Sequence, residues 1–273
     1  MDKQFKYGLL AAAFLFGIAS ATSAMATPIN TSGSNGEETL QQVFDNTSTQ
    51  TPAGIYYSGP QINVQTDQYQ PDSYWRQNAS GGSHTQIVIR IAGDAQSTSF
   101  GIFNEANPSQ MFPLYSGANT AGDKLTFGFD ANASNVITGV YKSGAAVPGG
   151  YDSAAWSGAG IFGFYLTDSH TGNTFYSDPS MNGGNDQMVA YKGNGTTYLD
   201  LPSSLPGVFG LNDFLFAWED TPLTSGSDGD YNDFVVYAES LTSVPEPSAL
   251  GIFGLGLLLV GVITFRRNKS DHS

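Results

Sequence analysis

Six carboxylates fall within 21 consecutive positions: Asp213, Glu219, Asp220, Asp228, Asp230 and Asp233, with Asn232 among them. Like charges at this density repel one another unless a counter-ion is present. A hard divalent cation can neutralise them with oxygen ligands alone, and Ca2+ takes about six to eight, from carboxylates, amide and backbone carbonyls, and water. Asp213-Phe-Leu-Phe-Ala-Trp218 reads as a strand, and Phe234-Val-Val-Tyr-Ala238 as the next. A hairpin of the two would bring Glu219 and Asp220 to the same end as Asp228, Asp230, Asn232 and Asp233. These six residues are the candidate ligand set for Ca2+, some acting through water. The same spacing fits a reading without metal, in which Asp228-Gly229 forms a type I′ turn and the other acids are solvated or cap backbone N–H groups. An EF-hand is rejected. Asp228-x-Asp230-x-Asn232 with Glu239 in twelfth place begins like one, but Asp233 stands where Gly is required and a strand pattern follows.

Other chemistry finds less support. The chain has no cysteine, which removes disulfides, zinc-thiolate sites and cysteine nucleophiles, and its three histidines are His84, His170 and His272. No His-Glu-x-x-His, Gly-x-Ser-x-Gly or phosphate-cradling glycine loop occurs. No catalytic residue is assigned, and the protein is expected not to be an enzyme. Acids beside aromatics such as Tyr74-Trp75, Tyr151 and Trp156 would suit a carbohydrate-binding face, or in principle a glycosidase, although core packing is the commoner role for such aromatics. Asn46-Thr47-Ser48, Asn78-Ala79-Ser80, Asn132-Ala133-Ser134 and Asn194-Gly195-Thr196 fit the glycosylation sequon, as expected by chance in a chain this rich in Asn, Ser and Thr.

The elements that would position the acids are strands. Short apolar runs recur every ten to fifteen residues between Gly, Asn, Asp and Pro clusters, over 86–91, 99–103, 124–129, 136–141, 160–166, 187–191, 213–218 and 234–238. No helical crossover pattern separates them, so the expected fold is all-β, an antiparallel two-sheet sandwich of jelly-roll type. Phe100-Gly-Ile-Phe103, Phe127-Gly-Phe129 and Phe162-Gly-Phe164 suggest glycines that let a facing aromatic lie on the backbone. One short N-terminal helix is expected over 37–44, where Leu40, Val43 and Phe44 share a face, and Thr31 to Gly36 reads as a flexible stretch before it.

Both ends read as processing signals. Lys3 and Lys6, the apolar Gly8 to Ala19 and the small-x-small Ala24-Met25-Ala26 form a signal peptide, a helical segment over 1–26 with cleavage after Ala26 and a mature start near Thr27. At the other end, residues 249–265 carry no charge and as a helix would reach about 25 Å, a short transmembrane span. Arg266, Arg267 and Lys269 follow it and would stay in the cytoplasm. The expected organisation is a signal peptide over 1–26, a polar leader with the short helix over 27–54, a β domain over 55–243 and a sorting signal over 244–273 with its basic tail at 266–273. Between the signals lie five bases, Arg76, Arg90, Lys124, Lys142 and Lys192, against 21 acids, a formal charge of −16. That balance argues against nucleic acid and favours divalent cations.

Val244-Pro245-Glu246-Pro247-Ser248, the Gly/Leu-rich span and Arg266-Arg267 resemble the PEP-CTERM sorting signal of Gram-negative bacteria. The resemblance implies export and recognition by an exosortase after signal peptidase has acted. It further implies transient anchoring in the inner membrane, then removal of the tail and delivery to the cell surface or extracellular matrix, where exopolysaccharide and biofilm are the expected context. Trp218-Glu219-Asp220 followed by Asp228-Gly-Asp-Tyr-Asn-Asp-Phe-Val-Val236 resembles a bacterial extracellular domain of unknown function that lies just before such tails. Asp186-Gln187-Met-Val-Ala-Tyr191 resembles its upstream strand, which often carries Asp-His where this chain has Asp186-Gln187. No enzymatic activity comes with that resemblance; metal binding by the acidic motif is an expectation, and the absent His removes one possible ligand.

Overall fold

A computed structural model describes residues 26–33, 36–49, 60–78, 83–90, 97–130, 135–142, 145–157 and 160–245. The expected signal helix and transmembrane span lie outside them. Among the described residues no helix is long and apolar enough to cross a membrane.

The eight strands expected from periodicity are all present: β2 (Ser83–Arg90), β3 (Thr98–Asn104), β5 (Lys124–Phe129), β6 (Asn135–Lys142), β8 (Ile161–Asp168), β10 (Met188–Lys192), β13 (Phe214–Trp218) and β14 (Phe234–Ala238). Seven more escaped the pattern: β1 (Tyr74–Gln77), β4 (Asn107–Tyr115), β7 (Ala145–Ala155), β9 (Asn173–Tyr176), β11 (Tyr198–Leu199), β12 (Gly207–Val208) and β15 (Leu241–Val244). Every pairing among the described residues is antiparallel, giving one sheet in the order β15-β1-β8-β3-β4, with β9 also on β8, a second in the order β10-β13-β14-β2-β5-β6-β7, and a small separate pair of β11 with β12. The proline-bearing strands β4 and β7 lie at sheet edges, where a missing N–H costs least.

The two sheets face each other across an aromatic core, in a sandwich arrangement. Phe164 and Trp75 of the first sheet meet Phe216 of the second at 4.7 and 4.9 Å between ring centroids, and Phe100 meets Phe234 at 5.3 Å. Those separations suit offset and edge-on aromatic contacts. Tyr74, Trp75 and Trp156 are buried, so packing and not sugar stacking explains these three aromatics.

The second sheet is covered on its other face as well, by α1 (Leu40–Thr49) and the segment before it. Leu40, Val43, Phe44 and Ile29 pack with Leu215 and Val235 in one cluster. That two-sided burial is why β13 and β14 are continuous apolar runs with every residue buried. The helix starts three residues later than expected because Thr39 caps it, and it runs on to Thr49: Thr39 Oγ1 accepts from Gln42 N at 3.2 Å, and Gln42 Oε1 accepts from Thr39 N at 2.8 Å. The residues that open the described chain are docked on the strands, while 34 and 35, within the stretch expected to be flexible, lie outside the described residues. Ile29 is buried, and Asn30 N–H donates to Gly229 O at 2.8 Å, so these two residues belong to the same packed body as the strands.

The aromatic-Gly pattern has the expected meaning at Gly163, which pairs with Phe103 across β8 and β3. A methyl group there would overlap the Phe103 ring. Gly163→Ala should therefore destabilise the fold by about 1–3 kcal/mol through overpacking, measured by chemical denaturation.

Candidate metal centre

The acidic loop is the connection between β13 and β14, whose register closes with Trp218 opposite Phe234. Glu219 leaves β13 directly and is buried at 1% exposure, and Asp230, on the return toward β14, is at 0%. Asp228 is exposed. One carboxylate oxygen from each of the three lies within 4.8 Å of the others, a group able to hold a metal ion.

Tyr231 fixes this geometry. Its N–H donates to Glu219 Oε1 at 2.6 Å, its hydroxyl donates to the backbone oxygen of Asp186, and its ring is fully buried. Its φ of 56° lies in the left-handed region that a bulky residue avoids, so these contacts hold a locally unfavourable backbone in place. The other Glu219 oxygen, Oε2, accepts from the Ser227 hydroxyl, and Ser227 Oγ in turn accepts from Gly229 N at 3.0 Å. Asn232 orients Asp230, its N–H donating to Oδ1 at 3.1 Å and its Nδ2 to Oδ2 at 2.8 Å. The same Nδ2 donates to Glu38 O at 2.6 Å.

Of the six proposed ligands, the structure thus brings together Glu219, Asp228 and Asp230, with Asn232 holding Asp230. Asp220 and Asp233 form a neighbouring pair, in which Asp220 N–H donates to Asp233 Oδ2 at 2.9 Å and the Thr221 hydroxyl to Asp220 Oδ1 at 3.1 Å. Asp213, part of the same acidic run in sequence, sits at the opposite end of β13 and accepts from the Tyr237 hydroxyl at 2.9 Å. A strand separates residues that lie close in sequence.

Several contributors were not visible in the acidic motif. Asn30 Nδ2 donates to Asp228 O at 3.1 Å, and Glu37 acts electrostatically on Asp230. Gln187 braces the far side of the loop, its Oε1 accepting from Leu223 N at 2.9 Å and its Nε2 donating to Thr221 O at 2.8 Å. The only advance sign of these was the Asp186-Gln187 pair; Asn30 and Glu37 lie nearly 200 positions away.

Electrostatics match the crowding. Burial, then repulsion from Asp228 and Asp220, pushes the Glu219 carboxyl up, although Ser227 and Tyr231 donate to it. Burial, then Asp228, Glu219 and Glu37, pushes Asp230 up to about 6 from 3.8. Asp233 rises for the same first reason, reinforced by Asp220 and Glu219. Lys124 and Lys192 are engaged elsewhere, Lys124 donating to Ser203 O at 3.0 Å and Lys192 lying 5.0 Å from the Tyr69 ring centroid.

The fold and this centre define a β domain with a carboxylate cluster enclosed at the end of a hairpin. Residues 243–268 of the chain match the PEP-CTERM protein-sorting motif, so the protein is an exported exosortase substrate, anchored transiently in the membrane before processing. The first residues of that motif are structured: Ser243 and Val244 end β15, opposite Trp75 and Tyr74, while Glu246, Pro247, Ser248, Arg266 and Arg267 lie outside the described residues, as does Ala24 of the signal cleavage site. The chain matches no curated protein.

Without a bound cation, the buried Asp230 makes the fold less stable as pH rises. Below the unfolded value of 3.8, Asp230 is protonated in both states and its burial costs no charge; as pH rises from there through about 6, the folded state must ionise a buried acid, and stability falls. Thermal midpoints in EDTA should therefore drop between about pH 4 and pH 7. Saturating Ca2+ should flatten that drop.

Proposed function

We propose that the chain is a non-enzymatic protein of the bacterial surface or extracellular matrix, whose acidic hairpin loop holds Ca2+ and is stabilised by it. The observation that carries this reading is the placement of Glu219 and Asp230, both buried, with Asp228 at the mouth and carboxylate oxygens within 4.8 Å. Two buried carboxylates that repel each other destabilise a fold when bare, whereas a hard cation between them converts the repulsion into cross-linking of the loop. In this reading Glu219, Asp228 and Asp230 are direct ligands. Asp220 and Asp233 act through water or as a flanking negative field, and Asn232 positions Asp230. The ion is structural, and no catalytic residue is assigned.

Calcium is favoured over transition metals by the all-oxygen donor set, which lacks cysteine and any histidine among the site residues. The nested pairing of early with late strands, β1 with β15 and β2 with β14, supports a sandwich of jelly-roll type. Delivery to the surface of a Gram-negative cell, with exopolysaccharide as the surrounding partner in a biofilm matrix, follows from the sorting motif as a reading of destination. Against the alternatives of a carbohydrate-binding module or a glycosidase stands the burial of Tyr74, Trp75 and Trp156, and of two of the three clustered acids, which leaves a sugar ring no access between them.

Thermal melting of the exported protein with excess Ca2+ and with EGTA tests the reading. A ligand at about one hundred times its Kd adds about 2.7 kcal/mol, a midpoint shift of several degrees. Glu219→Gln should abolish that shift, and Asp213→Asn, at the far end of β13, should leave it intact. Equal midpoints in the two buffers would remove calcium from the account.

A further inference from the structure

The acidic loop leans on the segment that follows the expected signal cleavage site, and the contacts made there point to a role for the cleavage itself. Ala26 is exposed, while Thr27 is half-buried and Ile29 is buried, so the bond between Ala26 and Thr27 joins an exposed residue to a docked one. Gln68 grips Thr27 on both sides: its Oε1 accepts from Thr27 N at 2.7 Å and its Nε2 donates to Thr27 O at 2.8 Å. The Thr27 hydroxyl donates to Asp186 Oδ2 at 2.5 Å. By covalent geometry the Thr27 nitrogen is then no more than about 6 Å from the same carboxylate oxygen.

We propose that signal-peptide removal at Ala26–Thr27 turns the Thr27 nitrogen into the ion-pair partner of Asp186, so that the newly made N-terminus locks the segment bracing the acidic loop. In the hydrolysis, water adds across the amide: the Ala26 carbonyl carbon gains oxygen and leaves as a carboxylate, and the Thr27 nitrogen becomes an ammonium. An amide N–H with one donor is replaced by a group with three donors and a full positive charge. One donor keeps the bond to Gln68 Oε1, and another reaches Asp186 after a small rotation at Thr27.

Asp186 suits the role. Burial pushes its carboxyl up, against the hydrogen bonds from Thr27 and Met188, so a charged donor would favour its ionised form more than these neutral donors do. Its backbone oxygen accepts the hydroxyl of Tyr231, the residue whose N–H holds Glu219. Three residues beyond Thr27, Asn30 binds the Asp228 and Gly229 carbonyls. The new terminus is thus tied to the loop along two routes, one through Asp186 and one through Asn30. Before cleavage, every Thr27 donor that holds that position, its amide N–H and its hydroxyl, is uncharged.

The test uses the full chain exported with its own signal, purified and melted in EDTA so that the result is independent of calcium. The N-terminus is first read by mass spectrometry, and a start other than Thr27 overturns the proposal. Inserting Gly-Ser between Ala26 and Thr27 keeps the cleavage site and moves the ammonium off Asp186; Asp186→Asn removes the other partner. Each change should lower the midpoint by roughly 2–4 °C, and the two combined should lower it no further than either alone. An unchanged midpoint on insertion, or additive losses, overturns the pairing. Should Asp186→Asn fail to fold, acylation of the α-amine near neutral pH, followed by mass spectrometry, decides the matter without it. A paired Thr27 amine should react about tenfold more slowly than the free amine of the inserted Gly, and equal rates overturn the proposal.

Discussion

The hydrogen bonds that Glu219 accepts from Ser227 and Tyr231 hold the whole connection between β13 and β14 in shape. Glu219 is carried into the interior by the strand before it, since β13 is buried along its full length and the carboxylate follows without a polar interval. A buried carboxylate demands donors, and the returning chain supplies them only if Tyr231 adopts a left-handed backbone and Gly229 turns with φ of 72°. Ser227, Asp228 and Asp230 therefore lie around Glu219 as a consequence of satisfying it. The cluster that invites a cation is built by the solution to a burial problem.

The second sheet explains why the hairpin can hold such a group. It packs on the aromatic core on one side and on α1 with Ile29 on the other, so β13 and β14 have little freedom to splay. Gln187, at the start of the neighbouring strand β10, accepts from Glu219 N through its own backbone oxygen at 3.1 Å and reaches past it to Thr221. Rigid strands on both sides of the loop's base mean that repulsion among the acids cannot be relieved simply by moving the strands apart. It must be answered locally, by protonation or by a counter-ion.

Much of this was legible from the residues alone. Alternating apolar runs gave eight strands, because those strands lie where one or both faces are buried and periodicity records burial. β4 and β7 escaped because edge position permits Pro108, Pro113 and Pro148, residues that argue against a strand when topology is unknown. The short β1 and β15 carry too few residues to show a period, and only pairing makes them strands, β15 on β1 and β1 on both β15 and β8. At the site, Glu219, Asp228 and Asp230 were legible as acids near one turn, but their separation from Asp220 and Asp233 depends on which way each side chain leaves the backbone. The role of Thr27 and Asn30 was hidden for a different reason. Polar residues that bridge distant parts of a chain leave no periodic trace, and a Ser/Gly/Asn-rich stretch looks the same whether it is docked or free.

The strand that closes the first sheet is also the place where the sorting motif begins. β15 ends at Val244, paired with Tyr74, and the apolar stretch of the tail starts at Ala249. Fully extended, the intervening chain spans at most about 18 Å. An anchored molecule is therefore on a short leash, and it cannot drift from the surface as one on a long tether would. Any enzyme acting on the motif must therefore work within that reach of folded protein, and release frees the domain from the surface near which the apolar stretch held it.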